Sequence, residues 1–326
     1  MKSIYLDYNA TTPIPPEVAD AMIPFLREHF GNPSSSHPYG IATKQAIENA
    51  RQQVAGLIQC SPEEIVFTSG GTESNNYAIR GSVLARRDQG NHIITSAVEH
   101  PAVLEVCQWL QSQGFRLTIL PVDSNGMVNP QDLENAMTPG TLLVSIMHAN
   151  NEVGTIQPIV ELARIAHRYG ALMHTDAAQS TGKIPVNIAE LDVDLLSIAG
   201  HKLYAPKGIG ALYIRSGIKL DKLMLVAPVS RNRDIPEAKT FFPYPIAKDL
   251  KASEIIMAAS TNDPYMSVEE AIELQSKLNI GMKIMENAGH INAASGFGKL
   301  DCALDWIKRV DECEINEDVN KERVKS

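Results

Sequence analysis

Between about residue 39 and residue 220 the chain alternates stretches that carry an apolar residue every three or four positions with short apolar runs closed by turn residues. Few folds accept that rhythm. Helices interleaved one by one with buried strands make an α/β protein with a mostly parallel sheet, because a crossover between parallel strands needs a helix-length connection. Residues 39–58 (YGIATKQAIENARQQVAGLI) have the helical period and residues 65–68 (IVFT) read as a strand. Ser69-Gly70-Gly71-Thr72 then turns the chain into a second helix over 73–87. Further strands are predicted at 91–95, 116–121, 141–147, 171–175, 193–197 and 210–214, with helices between them.

Past Lys222 the rhythm continues with different content: a strand at LMLVAP, a proline-rich loop IPEAKTFFPYP, and strands EIIMAAS and GMKIMEN around the helix SVEEAIELQSKL. We therefore expect a first domain over 1–222, a second unit over 223–310 and an acidic tail over 311–326, whose six acids, three bases and few apolar side chains leave little to pack. A chain of 326 residues, 44% hydrophobic, buries a core without staples. Its 29 basic and 38 acidic residues give a net charge of −9, which argues against a nucleic-acid partner. Cys60, Cys107, Cys302 and Cys313 form no CxxC pair and no zinc-type spacing, so a reduced compartment and no metal site are expected. The start MKSIYLDYNATTP lacks the basic-then-apolar pattern of a signal peptide, and no apolar run approaches the roughly 20 residues of a membrane span. A cytoplasmic location away from membranes follows as the expectation.

Four features fall where α/β proteins place ligands, at the carboxyl ends of strands. Ser69-Gly70-Gly71-Thr72 joins a strand to a helix start, where free N–H groups attract an anion such as phosphate, although the same turn serves structure alone. Asp176 in HTDAAQS follows the apolar run ALMHT; a carboxylate there needs a cationic partner such as a protonated ring nitrogen, and it fits a helix cap or an arginine's partner equally well. Lys202 sits between two apolar strands in SIAGHKLYAPKGIGALYIR, where desolvation suits a lysine to Schiff-base chemistry. His100 in AVEHPAV follows the strand NHIITS and can stack on a flat ring or move a proton, or simply be structural. A phosphate cradle, an acid for a ring nitrogen, a Schiff-base lysine and a stacking histidine are together the parts that pyridoxal 5'-phosphate requires.

The segments LDYNATTP, GNPSSSHPYG, FTSGGTESNN, EHPAV, HANNEVG, HTDAAQ and GHKLYAPKGIGALYIR resemble the NifS/IscS-type cysteine desulfurases of the class-V aminotransferase family, in that family's order and spacing over residues 3–220. The resemblance implies the large domain of a fold-type-I pyridoxal-phosphate-dependent transferase. It implies that Lys202 carries the cofactor, Asp176 holds the pyridine nitrogen and His100 stacks over the ring and moves protons. Gln179 and Asn151 would bond the ring hydroxyl region and the substrate, and Gly71, Thr72 and His201 would hold the phosphate. Ala199 stands where many members place a serine on that phosphate. By the same resemblance the substrate is L-cysteine, converted to L-alanine with sulfur passed to an acceptor or scaffold protein for iron–sulfur cluster or thio-cofactor synthesis, in a homodimer if the fold is completed.

After Leu220 the sequence departs from that family. The glycine-rich GGxQE and RxGT stretches, the later small domain, the substrate-carboxylate arginine and the catalytic-cysteine loop have no counterpart, so the large domain is expected to be incomplete, with a long unpaired sheet edge unless the strands that follow cover it, and turnover to be impaired. None of the four cysteines is nominated as the nucleophile. Residues 223–310, with LMLVAPVS, FFPYPI, ASTNDPYMSVEEAIEL and MENAGHINAASGFG, resemble instead the C-terminal half of small α/β-hydrolase-fold serine hydrolases of the retinoblastoma-binding-protein-9 or YdeN type. That resemblance maps a triad's acid and base onto Asp263 and His290, but no GxSxG elbow supplies their serine. Three readings stay open: a desulfurase-type enzyme, a serine hydrolase without its nucleophile, and a non-catalytic fusion or truncated product.

Overall fold

The structure, a computed structural model, describes residues 4–220, 223–226, 255–260, 268–278 and 281–285. The chain divides into two compact units, Met1–Leu220 and Asp221–Ser326.

In the first unit the elements run α1 (Pro16–Arg27), α2 (Pro38–Ile58), β1 (Ile65–Thr68), α3 (Gly71–Ala85), β2 (His92–Ser96), α4 (Pro101–Ser112), β3 (Arg116–Leu120), α5 (Pro130–Ala136), β4 (Thr141–Ser145), α6 (Ile159–Arg168), β5 (Leu172–Asp176), α7 (Ile188–Leu191), β6 (Leu195–Ala199) and β7 (Gly210–Ile214). The seven strands form one sheet in the order β1-β7-β6-β5-β4-β2-β3. Strands β6, β5, β4, β2 and β3 run parallel, while β7 is antiparallel to both of its neighbours. Every residue of β2 and of β4 to β7 is buried, as strands covered on both faces must be.

The strand period of two divides the core between those faces. Ile94, Val144 and Leu196 pack with α5 and α6 through Leu133, Leu162 and Ala166, whereas their neighbours Ile93, Leu143 and Leu195 pack with α3 and α4 through Ile79, Val83, Val106 and Leu110. His174 of β5 is a fully buried polar residue inside the sheet, bridging Ser145 Oγ at 2.8 Å and Ser197 Oγ at 3.0 Å.

Several boundaries differ from the sequence reading, and the differences matter for the site. Strand β5 ends on Asp176 rather than before it, since Asp176 pairs with Ser197 of β6, and β6 likewise extends to Ala199, paired with Gly210. Helix α3 begins at Gly71, so Gly71 and Thr72 are its first residues rather than part of a preceding turn. Helix α1 lay outside the predicted alternation and has no buried residue. The sheet's outer strands are β1 with four residues and β3 with five, β1 being paired to the reversed β7.

In the second unit β8 (Leu223–Val226), β9 (Ile255–Ser260) and β10 (Gly281–Met285) form a parallel three-stranded sheet in the order β10-β9-β8, with α8 (Val268–Leu278) connecting β9 to β10. Asp263, His290, Cys302, Cys313 and the 311–326 tail lie outside the described residues. No helix among the described residues is long and apolar enough to cross a membrane.

Candidate active site

The carboxyl ends of the parallel strands open into a cavity of about 570 Å³. Gly71, Thr72, His100, Asn151, Asp176, Gln179, His201 and Lys202 all line it, so the eight residues expected around a cofactor from five separate sequence segments meet in one place.

Each wall follows from local structure. Gly70 precedes α3, and a Cβ on Gly210 would lie 2.7 Å from the Gly70 backbone, so the start of β7 and the start of α3 touch only because Gly210 has no side chain. A Cβ on Gly71 would stand 3.0 Å from the Ala199 Cβ, so glycine relieves a close approach between the start of α3 and the end of β6 beside the cavity. Lysine 202 ends a short 3₁₀ turn, Gly200–Lys202, directly after β6. Its Nζ donates to the carbonyl oxygens of Asn9 and Ala10, and burial pulls its pKa below the usual lysine range against the opposing pull of Asp176 and Asp7. His201 is also lowered, first by burial and then by Lys202, Lys207 and His100 nearby.

Asp176 is 7% exposed at the end of β5. Its Oδ1 accepts from Ala178 N at 2.9 Å and its Oδ2 from Asn75 Nδ2 at 2.8 Å, so neither a helix cap nor an arginine holds it. His100 is the N-cap of α4, with Nδ1 accepting from Ala102 N at 3.1 Å; a neutral ring therefore carries its proton on Nε2. Gln179 and Asn151 are engaged with the N-terminal segment: Gln179 Nε2 donates to Asn9 O at 2.9 Å, and Asn9 Nδ2 donates to Asn151 O at 3.1 Å.

Three participants lie in the motifs quoted above but had no role assigned there. The segment from Asp7 to Thr12, within LDYNATTP, bonds Lys202, Gln179, Asn151 and His201, residues more than 140 positions away. Asn75 reads as a polar residue on a helix until the crossing of α3 over the sheet buries it against Asp176. Glu99 stands beside His100 in sequence but points inward, where burial, opposed by hydrogen bonds from Ser96 and Met147 and supported by Asp176, pushes its pKa up to about 8.

A mostly parallel seven-stranded sheet, with a partly desolvated lysine, a buried carboxylate and a helix N-terminus around one cavity, fits pyridoxal phosphate: amine for its carbonyl, acceptor for its ring nitrogen, donors for its phosphate. The fold and site define the large domain of a pyridoxal-phosphate transferase. The aminotransferase class-V family model matches residues 4–241, and the chain belongs to that family, which uses this cofactor. The cysteine desulfurase IscS of Dictyoglomus turgidum is 58% identical over 223 residues, which is 68% of this chain and 57% of that protein. A solved NifS-like protein superposes with a TM-score of 0.67 at 43% identity, covering 69% of this chain and 62% of its own. SspA in complex with cysteine gives a TM-score of 0.64 at 43% identity over 65% and 61%. The chain thus spans a little over half the length of the curated relative. A serine hydrolase family model matches residues 182–309, overlapping the end of the first match and beginning well before the 223 expected from sequence.

Proposed function

We propose that the first 222 residues form the cofactor-binding half of a cysteine-desulfurase-type enzyme, with Lys202 as the amine that takes pyridoxal phosphate covalently and L-cysteine as the substrate. What supports this reading above all is that the lysine, the buried acid, the histidine and the glycine-led helix start line a single cavity. When bound, the cofactor supplies an electron-withdrawing ring. The protein supplies the rest. Asp176 would accept from the ring nitrogen; the N–H groups of Gly71 and Thr72, with His201, would hold the phosphate; His100 would cover the ring, with Nε2 to carry a proton. Gln179 and Asn151 would hold the ring hydroxyl region and the substrate. Burial lowers the Lys202 pKa, which enlarges its free-amine fraction near neutral pH.

Sulfur transfer needs a thiolate, and the two described cysteines are poor candidates. Burial pushes Cys60 and Cys107 both up to about 12, with Glu64 adding to the first and Glu99 to the second. The reading is therefore of a chain that binds its cofactor and turns cysteine over slowly. A sulfur-acceptor or scaffold protein, a homodimer and a cytoplasmic location belong to the same proposal. The test is incubation of the purified chain with pyridoxal phosphate and L-cysteine while alanine is measured. Cofactor-dependent absorbance with near-background alanine supports the reading; alanine release at about 10 s⁻¹, a typical enzyme turnover, overturns the slow-turnover part.

The serine hydrolase match favours a second reading for residues 223–310, in which Asp263 and His290 descend from a triad. A fluorophosphonate probe tests it: labelling of a serine supports hydrolase activity, and no labelling leaves those residues as a non-catalytic fusion partner.

A further inference from the structure

The amide of Asn75 is buried, with the residue 1% exposed, and lines the cavity beside Asp176. Its Nδ2 donates to Asp176 Oδ2 at 2.8 Å, while its Oδ1 has no hydrogen-bond partner among the described residues. Buried polar atoms left unpaired are uncommon in folded proteins, and one that persists calls for a reason beyond stability. Here the reason is electrostatic. Turning the amide over would set Oδ1 against Asp176 Oδ2, acceptor against acceptor, so the donor is committed to Asp176 and the acceptor is left over. Ala178 N–H holds the other oxygen of Asp176 at 2.9 Å. The carboxylate therefore cannot rotate about its own axis without breaking a hydrogen bond.

We infer that Asn75 is a positioning residue for the ring-nitrogen site: its amide fixes the Asp176 carboxylate in the orientation that receives a protonated pyridine nitrogen. This rests on the proposed binding of pyridoxal phosphate and assigns to α3 a second task, since the same helix presents its N-terminus to the phosphate and, one turn later, steadies the acid at the opposite end of the ring.

The test uses the full chain, pyridoxal phosphate, and the analogue in which the ring nitrogen is replaced by C–H. Asn75→Leu keeps the volume and removes the donor. It should weaken pyridoxal phosphate about tenfold, roughly 1.4 kcal/mol, and leave the affinity for the carbon analogue unchanged, because that analogue makes no use of Asp176. Equal losses for both compounds would mean that Asn75 only maintains the cavity and would overturn the inference. If Asn75→Leu folds poorly, Asn75→Ala, which also removes the donor, makes the same comparison. Failure of the unsubstituted chain to bind pyridoxal phosphate at all would remove the underlying assignment, a different result from equal losses in the variants.

Discussion

The Nζ of Lys202 donates to the carbonyl oxygen of Ala10 at 2.9 Å, across 192 positions of sequence. The N-terminal segment is thus part of the site, and Thr12 fastens it: its Oγ1 donates to His201 O at 3.0 Å and accepts from Tyr204 N at 2.9 Å, with the residue 3% exposed. Tyr204 needs that hold, since its backbone lies in the left-handed region at φ 58°. Thr12→Val keeps the shape and leaves Tyr204 N–H without its partner. We expect a loss of about 1–3 kcal/mol in denaturant unfolding and weaker cofactor uptake in an equilibrium titration.

Glu99 gives the fold an alkaline weakness. Its Oε1 accepts from Ser96 Oγ at 2.6 Å and from Met147 N at 2.9 Å, and burial raises its pKa from 4.5 to about 8. A carboxyl raised in the folded state contributes stability that is complete below pH 4.5 and is lost as pH rises through about 8. Glu99→Gln should remove that slope. Chemical denaturation at pH 5 and pH 8.5 should show a smaller decline for the variant, with a difference of at most about 4 kcal/mol.

His174 acts in the opposite direction. It is fully buried between two serine hydroxyls, and burial drives its pKa from 6.5 down to about 3. A histidine depressed in this way contributes stability that is present above pH 6.5 and is lost as pH falls through about 3. The chain should unfold on acidification partly because this ring must accept a proton. His174→Gln should flatten the acid limb of a stability profile measured by denaturant between pH 7 and pH 4, at the expense of lower stability at neutral pH from imperfect packing between β4 and β6.

The described cysteines should be slow in alkylation. A thiol held near 12 has a thiolate fraction at pH 8 on the order of a thousandfold below that of a free cysteine. Peptide mapping after a timed iodoacetamide pulse on the native chain should find Cys60 and Cys107 essentially unmodified, and Cys60→Ala should leave alanine release unchanged. Rapid labelling of Cys60 would contradict its assignment as a structural thiol.

Much of this architecture was legible in the sequence because its signals are local. Apolar periods located the strands of the sheet within two residues at most ends, and the glycine turn before α3 marked one wall of the cavity. Boundaries slipped where pairing overrode composition: Asp176 and Ala199 belong to strands because β6 and β7 pair with them, not because either residue favours a strand. Helix α1 was missed because no periodic burial marks it. Asn75, Glu99 and the Asp7–Thr12 segment had no role assigned from sequence for one shared reason. Their partners lie far away in sequence, at Asp176, Met147 and Lys202, and become neighbours only when the strands line up.

The most direct measurement is the visible spectrum of the purified chain titrated with pyridoxal phosphate, run beside Lys202→Ala and Asp176→Ala. The account predicts a saturable visible band in the unsubstituted chain, no band in Lys202→Ala, and a band requiring at least tenfold more cofactor in Asp176→Ala. A band that survives in Lys202→Ala, or a chain that yields none at any cofactor concentration, would contradict the claim that this cavity takes the cofactor covalently at Lys202.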